Sequence, residues 1–149
     1  MSRSRVARMD PLIRIAEKSA QEALAYMGQI QQKIEQEKAR SQTLLQYQSE
    51  YQAGFSQRGQ LGVTGLAIEQ HESFMKQIQQ AMEQQQNNIQ QLEQQLEKAQ
   101  SVHQALNQKL KTYQKLQGRF ESQALALENK QMQKWLDEIA SQMSARQKP

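Results

Sequence analysis

The chain contains no cysteine, two prolines, six glycines and only 5% aromatic residues in 149 positions. Each shortage removes a class of protein. Without cysteine there is no disulfide framework, no thiol nucleophile and no thiolate metal site. With 37% hydrophobic residues and so few aromatics, the chain has little with which to fill a globular core. No stretch approaches the ~20 apolar residues of a membrane span, and no apolar run of leader length follows Arg3, Arg5 and Arg8. A soluble, cytoplasmic protein is therefore expected. Charge of a single sign is also missing: 19 basic residues interleave with 15 acidic ones, so the net +4 describes solvated helix faces, not a phosphate-binding patch. What is abundant is glutamine, glutamate, lysine, leucine and alanine, the composition of long helices and coiled coils.

A seven-residue ladder runs unbroken from Ile68 to Leu127. One rail is Ile68, Met75, Met82, Ile89, Leu96, His103, Leu110, Gln117 and Ala124; the other is His71, Ile78, Gln85, Leu92, Ala99, Leu106, Tyr113, Phe120 and Leu127. Fourteen of these eighteen positions are apolar, far above the composition of the chain. Sustained four-three spacing specifies a helix with a narrow apolar seam, wound against a partner helix. A weaker ladder precedes it, from Ile13 through Ala16, Ala20, Ala23, Met27, Ile30 and Ile34 to Leu44, Tyr51 and Phe55, with Glu37, Ser41 and Gln48 as polar interruptions.

Between the ladders, glycines at 54, 59, 62 and 65 break the helical pattern. The expected fold is all-α, a single coiled-coil domain over 1–149: two long helices in an antiparallel coiled-coil hairpin, the second longer than the first. Helix one is expected over about 11–56, the loop over about 57–64 and helix two over about 65–142, with frayed termini. Asp10-Pro11 reads as an N-cap and first helical residue; Thr64 reads as the second N-cap, with Val63 stapled onto Ile68. Facing residues then have numbers summing to about 120, which leaves helix two without a partner beyond about residue 110. The open stripe would carry Leu110, Tyr113, Phe120, Leu127 and Trp135, offered to another protein. Past Leu127 the apolar phase slips to Met132, Trp135, Leu136, Ile139 and Met143.

Catalytic chemistry is not expected, because a two-helix coiled coil encloses no dry pocket. His71 and His103 lie ~48 Å apart along one helix, so they read as polar interruptions of the seam, not metal ligands. No phosphate-binding loop occurs. The basic cluster Lys109, Lys111, Lys115 and Arg119 reads as a solvated flank, with no nucleic-acid role. No cofactor is expected.

Two aromatic runs are unusual for so polar a coiled coil: Leu44-Leu45-Gln46-Tyr47-Gln48-Ser49-Glu50-Tyr51 and Gln70-His71-Glu72-Ser73-Phe74-Met75. Hairpin arithmetic sets Tyr47 almost opposite Phe74. These runs, the glycine-containing loop, and the closing Lys134-Trp135-Leu136-Asp137-Glu138-Ile139-Ala140 with Arg146 and Pro149 resemble, in the same order, the flagellar type III export protein FliJ family. The resemblance covers essentially the whole chain. It implies a cytoplasmic antiparallel two-helix coiled coil, similar to the central stalk of rotary ATPases and peripheral at the cytoplasmic face of the inner membrane. The implied partners are the hexameric export ATPase, the cytoplasmic domain of the export-gate protein and the substrate-specific export chaperones. The implied gate-contact residues are Leu44, Tyr47, Tyr51, Phe74, Ile78 and Ala81; the chain departs from the family pattern at Arg40, where glutamine is common, and at Gln85, where histidine occurs. The end bearing both termini would enter the ATPase ring while the loop-end aromatics meet the gate. Two alternatives stand beside this: the equivalent stalk of a virulence secretion system, and a structural coiled-coil adaptor unrelated to any ATPase.

Overall fold

A computed structural model describes residues 2–147, all of them in two α-helices and the short turn between. Helix α1 spans Ser2–Gly59 and α2 spans Gly65–Gln147, so the second helix is the longer and the two pack against each other. The turn is tighter than the glycine spacing suggested, because helix continues through Gly54 to Gly59. The Leu61 and Gly62 amides then donate to the Arg58 and Gly59 carbonyls, and Gly62 takes φ 96°, a left-handed conformation that glycine adopts without a Cβ penalty. Thr64 is the N-cap of α2: its Oγ1 accepts the Ala67 amide at 3.1 Å, and its carbonyl accepts the Ile68 amide. Val63 and Ile68 remain over a third exposed, so the staple expected between them buries little.

The chain divides into two compact units. One comprises 23–102, with the turn; the other comprises 1–22 together with 103–149. Within the first, here the loop unit, the helices run antiparallel, since Lys38 meets Glu93 while Tyr47 meets Phe74. Its core is Ile30, Ile34 and Ala99, packed with Met27, Leu92 and Leu96. All six were on the two ladders. At one layer both ladders are polar and the polar groups meet: Gln85 Nε2 donates to the Glu37 carbonyl at 3.2 Å and to its Oε2 at 3.1 Å. Such a layer weakens the seam and fixes its register.

In the other unit, here the terminal unit, the pairing is also antiparallel, from Asp10 with Gln117 to Arg3 with Glu128. Of the eighteen ladder positions on α2, all are buried or half-buried except Ile68 and Leu127, one at each end. The expected start of helix one at Pro11 is corrected: α1 begins nine residues earlier and carries Pro11 inside it. A proline there removes one intrahelical hydrogen bond and crowds the preceding turn. Tertiary contacts hold that turn nonetheless. Met9 is buried, Gln117 Nε2 donates to the Val6 carbonyl at 3.0 Å and to Asp10 Oδ1 at 2.7 Å, and Arg3 grips Glu128 through both carboxylate oxygens. The Arg3 guanidinium holds the Glu128 carboxyl below the usual carboxylate range. Helix α2 likewise runs on to Gln147, five residues past its expected end. The described termini are helical, and Pro149 lies outside the described residues.

Replacing Pro11 by alanine restores the missing donor. The helix gains up to ~3 kcal/mol of local propensity, read as slower amide exchange over residues 3–10 and a higher Tm. A lower Tm would show instead that the local backbone geometry set by Pro11 is needed for Gln117 to reach its two acceptors.

Candidate functional site

Side-chain positions follow from the seam. Taking Ile13 and Ile68 as a positions and Ala16 and His71 as d positions, the residues that border the seam fall at e on one flank and at g on the other. In an antiparallel pair, like borders like, and the contacts agree. Lys38 and Glu93 are both e, as are Arg3 and Glu128, whereas Tyr47 and Phe74 are both g.

The six gate-contact residues named above occupy only d and g positions, so the loop unit gathers them on one flank. Tyr47 meets Phe74 edge-on, with ring centroids 6.1 Å apart, and Tyr51 tilts against Phe74 at 4.3 Å. The residues are not equivalent. Ile78 is buried in the seam, and Leu44, Tyr51 and Phe74 are half-buried, while Tyr47 is 52% exposed and Ala81 is exposed. Tyr47, Ala81 and the outer edge of Phe74 are therefore what a partner would meet, with Tyr51 and Ile78 supporting them from below.

His71 packs into that support. Its imidazole stacks on Phe55 at 3.7 Å and on Tyr51 at 5.4 Å, nearly parallel to both, and its Nε2 lies 3.0 Å from Gln52 Oε1. The Nδ1 on the other side of the ring is buried without a hydrogen-bond partner. The histidine fills a d position between two aromatic rings. Among the described residues no group of acidic or histidine side chains is placed to hold a metal ion.

The second set of candidates divides. Leu110, Tyr113 and Phe120 are half-buried in the terminal unit, where Arg5 lies over the Phe120 ring at 5.7 Å and Lys109 over the Tyr113 ring at 5.8 Å. The open stripe expected to begin near 110 is corrected for these three. Because α1 extends back to Ser2, its first turns occupy the positions that were counted as vacant. Leu127 and Trp135 are exposed, at 45% and 56%, and among the described residues the inter-helix ion pair furthest along α2 is Arg3 with Glu128. Beyond it α2 presents Met132, Trp135, Leu136 and Met143, all exposed, with Ile139 half-buried. Their i, i+3, i+4, i+7 and i+11 spacing places them on one helix face. The apolar stripe thus exists, but starts about five helical turns later than hairpin arithmetic placed it.

The sequence reading missed one feature. On the g flank of the loop unit, Ala23 and Tyr26 of α1 and Ala99 and Val102 of α2 line an open groove of about 230 Å³, walled by Lys98 and Gln95. Tyr26 and Val102 are each 54% exposed. Reading the g positions of both ladders together would have exposed the signal, since they include Tyr26, Tyr47, Phe74 and Val102.

Among the described residues no helix is long and apolar enough to cross a membrane. The family described as flagellar FliJ protein matches residues 4–149. No curated protein and no solved structure shows significant similarity to the chain.

Proposed function

This chain belongs to the FliJ family of flagellar proteins, and from that membership in flagellar export we propose that it serves as a non-catalytic, stalk-like partner of the export ATPase ring. It works in the cytoplasm, peripheral to the inner membrane. The terminal unit engages the ATPase, the g flank of the loop unit contacts the cytoplasmic domain of the export-gate protein, and the chain escorts substrate-specific export chaperones.

The observation that carries the ATPase contact is the end of α2. After Glu128 the helix continues to Gln147 with a single apolar face, Met132, Trp135, Leu136, Ile139 and Met143, of which four are exposed. Water-facing Trp, Leu and Met at helical spacing are stabilised by a protein surface that covers them, and Trp is among the residues that dominate such contacts. The gate contact is supported by the Tyr47, Phe74 and Ala81 edge. It offers aromatic area on a supporting layer already held by His71 stacking.

A chain ended after Glu128 keeps every inter-helix contact described above and loses the whole apolar face. Sedimentation with the purified export ATPase is expected to fall by about tenfold or more in affinity for the truncated chain, with mean residue helicity preserved. Undiminished binding by the truncated chain would remove the ATPase contact from this end, and no binding by the full chain would remove the stalk role itself.

A further inference from the structure

We infer that the g flank of the loop unit, followed from the Tyr47–Phe74 edge to the Tyr26–Val102 groove, is a docking track for one acidic amphipathic helix of another protein. Two observations carry it. The first is shape. A second open groove, of about 460 Å³, lies beside Tyr47 between Leu44, Arg40 and Gln85. Tyr26 and Tyr47 occupy the same heptad position three heptads apart, ~31 Å along a helix. Small residues, Ala23 and Ala99 at one end and Ala39 at the other, floor or edge the two grooves. A cleft between two helices whose floor is alanine admits the ridge of a third helix, which would meet aromatic or branched anchors at both ends.

The second observation is charge. At the g and c positions of this unit the charged residues are Lys33, Arg40 and Lys98 against a single acid, Glu50. Arg40 is held by Glu37 at 2.8 Å; of the other two cations, Lys98 walls the Tyr26 groove, and Lys33 lies one heptad from Tyr26, lining a separate groove with Glu37. The opposite flank, at e and b, carries Glu35, Glu69, Glu72, Glu83, Glu93 and Glu97, offset only by Lys38 and Lys76. The exposed apolar grooves therefore lie on the basic side of a two-sided unit. An occupant bearing glutamate or aspartate beside its apolar stripe is attracted to the track, and a basic one is repelled. A second copy could offer its acidic flank, with Leu24 and Leu45 exposed there, but that flank is the outer side of two helices and does not enter a cleft one helix wide; its other apolar face, on α2 after Glu128, carries Lys130, Lys134 and Arg146 against Asp137 and Glu138 and so lacks the acidic bias the track selects.

The Tyr47 end coincides with the gate-contact surface and rests on that reading. The Tyr26 end does not, because Tyr26, Lys33, Lys98 and Val102 lie outside the six residues named for it. Substitutions there separate the two ideas. The probe is a synthetic four-heptad peptide with leucine at a and d and glutamate at e and g, compared with its lysine-for-glutamate counterpart. Binding to the full chain is followed by fluorescence anisotropy at low and high salt. The glutamate peptide is expected to bind about tenfold more tightly than the lysine peptide at low salt, with the preference shrinking at high salt. K33E/K98E is expected to reverse the preference, and Y26S/V102S to weaken the glutamate peptide about fivefold or more at unchanged helicity. K38E/K76E, on the other flank, leaves binding intact. Equal binding of both peptides, or indifference to K33E/K98E, overturns the proposal. A low-salt dimer of the chain alone that K33E/K98E dissociates also overturns it, and assigns the flank to a second copy.

Discussion

Replacing Ile30 and Ile34 together by alanine is expected to abolish most of the cooperative unfolding of the loop unit. Both isoleucines are nearly inaccessible, at 2% and 6%, and they form the core cluster with Ala99. Each truncation removes buried methylenes and leaves a cavity, at ~2–5 kcal/mol per site. The neighbours Met27, Leu92 and Leu96 are flexible or half-buried and can partly close the gap, and the two sites share them, so the losses do not simply add. Even so, a combined loss of roughly 4–8 kcal/mol is comparable with the whole stability of a small domain. Urea denaturation followed by far-UV circular dichroism checks it. The control is Ile15, which is apolar but 65% exposed, so Ile15→Ala should move the midpoint very little. Equal effects from Ile15→Ala and the core pair would show that the burial pattern described here does not govern stability.

The second large effect is on recognition. Tyr47→Ala is expected to weaken binding to the cytoplasmic domain of the export-gate protein by about tenfold or more, with helicity and midpoint nearly unchanged, because half of the Tyr47 side chain already faces water. Adding Phe74→Ala removes the ring that Tyr47 meets edge-on and deepens the loss. Tyr51→Ala behaves differently. Tyr51 is half-buried, packs on Phe74 at 4.3 Å and on His71 at 5.4 Å, and its loss should lower stability as well as binding. The comparison separates contact from support: binding falls without stability for Tyr47 and with it for Tyr51. If Tyr47→Ala retained full affinity, the exposed edge of the aromatic cluster would not be the contact, and the proposed gate surface would be wrong.

Most of the fold was legible because an apolar residue repeated every three and four positions is a direct record of what a long helix buries. His71 illustrates the strength of that record. A polar residue, it stands on a ladder rail and is 8% exposed all the same, because aromatic neighbours at 51 and 55 stack on its faces. The Thr64 cap was legible for a similar reason, since a short hydroxyl side chain beside a glycine-rich break can satisfy a helix N-terminus locally. The candidate site was legible in part. Tyr47 and Phe74 could be set opposite each other from numbering alone, but their exposure could not. The Tyr26–Val102 groove escaped notice because its residues are 76 positions apart and neither belongs to the seam.

Pro11 shows where reading the sequence fails. Asp-Pro is a strong local signal for a helix start, and the local physics is sound. What overrides it is distant: Gln117 and Glu128 reach α1 from the other helix, and Met9 is buried. That single override moves the boundary of the paired region, and with it the status of Leu110, Tyr113 and Phe120. The sequence by itself determined that there are two helices, which residues line their shared seam, and that the final turns of α2 carry an apolar face. Periodicity and capping are properties of consecutive residues. Only the tertiary structure decided how far the pairing runs, which flank gathers the aromatics, and that the uncovered face begins after Glu128. The flank depends on ring contacts across the turn, between residues 16 to 27 positions apart; the extent of pairing and the start of the uncovered face depend on contacts between residues more than a hundred positions apart, strong enough together to carry α1 through its proline.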